Sequence, residues 1–156
     1  MLKKLIPVLV LSAASATALA ADVTYTRDIA PLFKDRCDEC HGKNSPDIHA
    51  FKKDQKKFEK EKLGPRMATY DELIAFIGWP DTGAIMRRLD DGKSVKGGKA
   101  GNMYKHLGET DDERQKNLAV FKAWVGEGGW NLNRFKARGD VPAITKEQMD
   151  KLLLKY

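Results

Sequence analysis

Two cysteines and three histidines are all that this 156-residue chain offers to thiol or soft-metal chemistry. So few exclude a disulfide-dense scaffold. Long hydrophobic runs are scarce as well. The apolar stretch from Leu5 to Leu11 is interrupted by Pro7 and falls well short of the ~20 residues that span a bilayer. Sustained alternation of apolar and polar residues, the mark of half-buried strands, is missing, and no internal repeat is present. The chain is also too short for a two-domain cofactor enzyme or a barrel of alternating strands and helices. What remains is a single all-α domain, 42% hydrophobic and 32% charged, with enough apolar residues for a real core.

The start of the chain is set apart from this domain. Lys3 and Lys4 precede the apolar stretch, and Ala18-Leu19-Ala20 has the small-x-small pattern of a cleavage site. Residues 1–20 therefore read as an export signal, with the mature chain starting near Ala21. No cysteine stands at the cut to carry a lipid anchor. A short, lysine-led signal of this kind points to a bacterial periplasm, with secretion as the alternative.

Helices follow from apolar spacing and capping residues. Asp28 is a candidate cap for a helix that tolerates Pro31 in its first turn and carries Ile29, Leu32 and Phe33 on a stripe continuing to Cys37 and Cys40. Thr69 and Glu72 form a capping-box pair before Leu73, Ile74 and Ile77, with Gly78 as the stop. A short piece from Ala84 to Leu89, behind Thr82, places Ile85, Met86 and Leu89 on one side. Asp91 to Gly101 holds four glycines and three lysines, reads as loop, and leads directly to Asn102, Met103 and Tyr104. Thr110 and Glu113 cap the clearest helix, through Leu118, Phe121, Trp124 and Val125, with Gly128-Gly129 at its end. Thr145 and Gln148 open a last amphipathic helix through Met149, Leu152 and Leu153. Between His41 and Thr69 lies a lysine-rich stretch, partly helical around Phe51 and Phe58.

Cys37-Asp38-Glu39-Cys40-His41 is the pattern C-x-x-C-H, the attachment site of a c-type haem. Two thiols one helical turn apart can add to the two vinyl groups on one porphyrin edge, and the next residue then lies beneath the ring, where its imidazole can bind iron. Three plainer uses compete. A redox-active dithiol would follow a β-strand, which is not predicted here. A zinc site could draw on Cys37, Cys40 and two of His41, His49 and His106, but the spacing fits no common zinc module. A disulfide across one helical turn is strained.

This order of elements resembles class I cytochrome c: a leading helix ending in C-x-x-C-H, a middle helix, a glycine-rich loop presenting a methionine, and a closing helix with an aromatic near its end. The resemblance spans roughly Val23 to Gly129. Tyr25-x-x-Asp28-Ile29-x-Pro31-Leu32-Phe33 is also similar to the approach to the motif in bacterial monohaem domains. The resemblance implies a haem domain over residues 21–129, interrupted by the insertion at about 43–66, with a helical C-terminal extension over 130–156. It implies that the leading and closing helices cross, with one covalent haem c in the crevice they frame, and single-electron transfer without substrate turnover. Cys37 and Cys40 would hold the haem and His41 would bind iron on one side.

Met103 falls where the family places its second ligand. Met86 and His106 remain alternatives, while Met67 lies near a turn and Met149 belongs to the tail stripe. Tyr104, Trp79 and Trp124 are candidates to line the haem, and Arg87 and Arg88 to meet its propionates.

The formal charge of +6 is unevenly spread. Residues 51–66 carry seven basic against three acidic side chains and residues 130–156 six against three, leaving the rest of the mature chain mildly acidic. Basic additions suit brief docking to acidic surfaces on redox partner proteins, where complementary charge raises encounter rate more than affinity. Nucleic acid is not a fitting partner for an exported chain with so modest an excess. The leading reading is a monomeric periplasmic electron carrier, of a kind that would suit an iron- or sulfur-oxidising respiratory chain. A haem subunit of a larger oxidoreductase complex, and a small-ligand sensor or enzyme with an open sixth iron position, are the alternatives.

Overall fold

The computed structural model describes residues 23–79, 81–93, 98–130 and 145–156. The expected export signal and residues 131–144 of the expected extension lie outside them. Among the described residues every regular element is helical.

The chain enters through a π-helical turn, Tyr25–Ile29, and continues as α1, Ala30–Arg36. Thr24, four residues earlier than the expected Asp28, is the cap. Its hydroxyl accepts the Arg27 N–H at 3.3 Å, while the Asp28 carboxylate accepts the Thr24 N–H at 2.8 Å. Asp28 thus serves the cap from inside the first turn. Helix α1 stops at Arg36, and the single turn α2, Asp38–His41, begins after a break at Cys37.

Next come α3, Ile48–Lys53, and α4, Gln55–Lys60, capped by Asp47 and Asp54. The two helices stack Phe51 on Phe58 with ring centres 6.3 Å apart, and neither contributes a buried residue to the core. Helix α5, Tyr70–Ile74, starts at Thr69 as expected but is followed by turns rather than continuing to Gly78. Helix α6, Ala84–Leu89, is preceded by Gly83 in the left-handed region, φ 73°. Thr82 does not cap it; the hydroxyl is buried and donates to Gly78 O at 2.6 Å.

A 3₁₀ turn, Tyr104–Leu107, leads to α7, Asp111–Val125. Its capping box is complete: Thr110 Oγ1 accepts the Glu113 N–H at 3.2 Å, and Glu113 Oε2 accepts the Thr110 N–H at 3.4 Å and the Glu109 N–H at 2.7 Å. These bonds hold the Glu113 carboxyl below its ordinary pKa. Thr110→Ala removes one arm of the box and is expected to lower global stability by about 1 kcal/mol, read as a lower urea midpoint at unchanged slope; an unchanged midpoint would mean that water replaces the cap without cost.

Leu118, Phe121, Trp124 and Val125 of α7 are buried with Ile29 and Phe33 of the leading segment. Burying side chains of this size contributes about 1.5–3 kcal/mol each, so this crossing anchors the fold. Leu73, Phe76, Ile77, Ile85, Met86 and Leu89 extend the core beside it, with Met67, Ala84 and Leu107.

Helix α7 ends at Gly126, φ 93°, two residues before the expected Gly128-Gly129. The C-terminal segment explains the choice, because a Cβ at Gly126 would stand 2.8 Å from Lys151 O. Helix α8, Lys146–Met149, is one turn, shorter than the amphipathic helix expected there. The chain beyond it runs as a strap across the end of α7. Leu153 and Leu154 donate their N–H groups to Val125 O at 3.0 Å and Trp124 O at 2.9 Å, satisfying carbonyls that a helix end leaves open. Leu152 and Leu154 pack on the core, whereas Met149 and Leu153, expected on the apolar stripe, are exposed.

Candidate functional site

The C-x-x-C-H segment turns tightly: Cys40 and His41 both donate their N–H groups to Cys37 O, at 3.2 and 2.9 Å. Cys37 and Cys40 form no disulfide with each other. Burial pushes the Cys37 thiol up to about 12, with the charges of Cys40, Asp35 and Asp38 adding to the effect. Among the described residues no three of His, Cys, Asp and Glu gather as they would around a zinc ion.

His41 is held by a segment distant in sequence. Residues 63–68 return beside α2, where Gly64 N–H donates to Cys40 O at 2.8 Å and Met67 N–H to His41 O at 2.9 Å. Between them Pro65 O lies 2.8 Å from His41 Nδ1. A carbonyl only accepts, so Nδ1 carries the proton and Nε2 keeps its lone pair. Burial keeps the ring neutral by pulling its pKa down against that hydrogen bond, and the charges of His106 and Arg88 lower it further. Gly64 is pressed to the imidazole: a Cβ there would collide with Cε1 and stand 2.9 Å from Nε2. Ser45 completes the cradle, its hydroxyl donating to Cys40 O at 2.9 Å.

The other candidates occupy different surroundings. Met86 and Met67 are core residues, 2% and 8% exposed, and Met149 is 51% exposed on the tail. Met103 is half-buried at the edge of the core, just before the 3₁₀ turn, with its N–H donating to Arg88 O at 2.9 Å. His106 is exposed on that turn. Trp79 is 66% exposed. Trp124 is fully buried among Tyr25 and Tyr70, with ring centres 6.1 and 6.3 Å away, which is helix packing. Tyr104 is half-buried and its hydroxyl accepts from Gln115 Nε2 at 2.7 Å. Arg87 and Arg88 are engaged within the protein, with Thr82 O and Asn102 Oδ1. His49 is exposed on α3.

Ser45, Gly64 and Pro65 carry roles that the sequence reading passed over, since all three fall inside the stretch taken as an insertion. The Gly-Pro pair was the available signal. It marks a place where backbone must approach something closely, without saying what.

Paired thiols one turn apart, beside a neutral imidazole with a free Nε2 oriented by a backbone carbonyl, fit an iron porphyrin. The comparisons with known proteins agree. The family described as PccH Cytochrome c matches residues 24–156. The solved structure of the monohaem cytochrome PccH from Geobacter sulfurreducens superposes with a TM-score of 0.75 at 51% identity, covering 86% of this chain and 99% of that one. Among curated proteins none matches. No helix among the described residues is long and apolar enough to cross a membrane. The all-helical fold is therefore cytochrome c-like, with the tail inside the family match rather than beyond it. The chain belongs to the PccH family of cytochromes c and carries a single covalent haem c.

Proposed function

We propose that this protein is a periplasmic one-electron carrier in which Cys37 and Cys40 hold the haem as thioethers, while His41 and Met103 bind the iron. The observation that carries the reading is the bond between His41 Nδ1 and Pro65 O on a half-buried, neutral ring. It sets the tautomer that leaves Nε2 as the donor, and it raises the basicity of that nitrogen. When bound, haem supplies an iron that alternates between Fe(II) and Fe(III).

The protein's part is to keep the ligands in place through that change. Backbone bonds hold His41 to the returning segment and Met103 to the end of α6. A thioether favours Fe(II), so this pair places the potential above that of two imidazoles.

Partner docking falls to α3 and α4. Lys52, Lys53, Lys56, Lys57 and Lys60 are exposed there, on helices that contribute nothing buried to the core. A basic surface at the edge of the core, with its chain continuing into the His41 cradle, suits a partner with an acidic face.

Oxidised and reduced optical spectra with a redox titration test the reading. The ferric protein is expected to show a methionine-sulfur-to-iron charge-transfer band. Met103→Ala should abolish it and lower the potential by a fraction of the ~0.8 V range that axial ligands command. A band that survives in Met103→Ala removes Met103 from the role. A high-spin ferric spectrum with fast carbon monoxide binding in the unmodified protein would instead favour an open sixth position.

A further inference from the structure

We infer that Gly101 is a positioning residue for Met103, an inference that rests on Met103 being an iron ligand. Helix α6 ends at Leu89; Met86 O accepts the N–H of the capping residue Asp90, and the carbonyls after it have no partner inside the helix. The segment carrying Met103 lies across them. Gly101 N–H donates to Asp90 O at 2.8 Å and Met103 N–H to Arg88 O at 2.9 Å, while Arg88 Nη1 donates to Asn102 Oδ1 at 2.9 Å.

The approach is close enough to exclude any side chain at residue 101. A Cβ there would collide with the carbonyl oxygens of Arg87 and Arg88 and stand 2.5 Å from the Arg88 carbonyl carbon. These are helix backbone atoms, which cannot swing aside as a lysine tip would. Gly101 is not among the glycines with positive φ, so what the site needs is the missing Cβ and not a left-handed backbone.

Met103 has little freedom to compensate. Tyr104 N–H donates to Gly101 O at 3.1 Å and His106 N–H to Met103 O at 3.0 Å, while Gln115 on α7 ties the Tyr104 hydroxyl to Asp91 through its side-chain amide. The segment is clamped between α6 and α7. Moving residue 101 off α6 pulls on the Met103–Arg88 bond two residues later, and the thioether moves with it.

Imidazole titration of the ferric, haem-loaded protein measures how firmly the methionine holds, because the added ligand must displace it. Gly101→Ala is expected to bind imidazole about tenfold more tightly than the unmodified protein, equivalent to ~1.4 kcal/mol. Gly128→Ala is the control: a Cβ there meets only the Lys151 side chain, at 3.7 Å, and its affinity should be unchanged. Because Gly101 acts through Met103, the effect should vanish when Met103 is already alanine, so that Met103→Ala and the Gly101→Ala/Met103→Ala double variant bind imidazole alike.

Unchanged affinity in Gly101→Ala would overturn the proposal, as would an equal increase in both backgrounds. Loss of the helical circular dichroism in Gly101→Ala would also overturn it, by showing that the residue holds the fold and not the ligand. Failure of the underlying reading looks different: Met103→Ala itself would then keep the charge-transfer band and the imidazole affinity of the unmodified protein.

Discussion

His41→Gly should lose the low-spin, six-coordinate spectrum outright and regain it when free imidazole is added. The expectation comes from the shape of the cradle. Gly64 leaves room for a flat ring and nothing more, since a Cβ there would collide with Cε1. Pro65 O sits where the Nδ1–H of a ring can reach it, at 2.8 Å. Both features belong to a segment separate from α2, whose own backbone bonds to Cys40 O and from Met67 to His41 O do not involve the imidazole. The slot therefore persists when the side chain is removed. The sharper part of the prediction concerns 1-methylimidazole, which has the same lone pair but no N–H. It cannot donate to Pro65 O, and loss of such an outer-shell bond weakens a metal ligand by about 10- to 100-fold. Equal rescue by the two compounds would show that the Pro65 carbonyl contributes nothing to ligation. A low-spin spectrum retained in His41→Gly without any addition would assign the iron to a different residue.

Trp124→Ala should be the most damaging substitution in the core. The side chain is fully buried, sits among Tyr25 and Tyr70, and donates from Nε1 to Lys155 O at 2.9 Å. Truncating a buried tryptophan costs about 3–5 kcal/mol, against a total stability of about 5–15 kcal/mol for an ordinary domain. The loss falls on two long-range junctions together. Lys155 O also accepts the Tyr25 N–H at 2.8 Å, and the Tyr70 hydroxyl donates to Leu154 O at 2.7 Å, so one ring joins the start of the chain to its end. Trp124→Phe separates the contributions. It keeps an apolar ring and deletes the N–H, and a net hydrogen bond is worth about 0.5–1.5 kcal/mol, so its cost should be well below that of the alanine variant. Guanidinium unfolding of the two variants reads both values; a midpoint for Trp124→Ala close to that of the unmodified protein would show that the strap and the α7 crossing do not depend on this ring.

The parts of the protein legible in the sequence are those whose causes are local. C-x-x-C-H is a local motif because two thiols and an imidazole must meet one porphyrin from within a single turn, so the residues share one stretch of chain. The α7 capping box and apolar stripe are local for the same reason: Thr110 and Glu113 are three residues apart and bond each other's backbone, and the structure starts the helix where they place it. Helix ends were less legible. Gly126, not Gly128-Gly129, ends α7, because a strap from residues 151–155 passes too close for a Cβ, and three neighbouring glycines look alike until that strap is in place.

The lysine-rich stretch shows the limit most clearly. Its lysines mark an exposed stretch, and α3 and α4 form it, with no buried residue in either. Its last residues, Gly64 and Pro65, turn back into the site and hold His41. Composition could not separate the two because the partner lies 24 residues away in the chain. The sequence by itself determined the cofactor chemistry, the helical class and the main helix, since each rests on interactions within a turn or two. Only the tertiary structure decided which carbonyl orients His41, which glycines are needed for their missing Cβ, and where the chain's end is tied. Those depend on which backbones come within a few ångströms of each other, and a glycine at such a contact has no side chain to announce it.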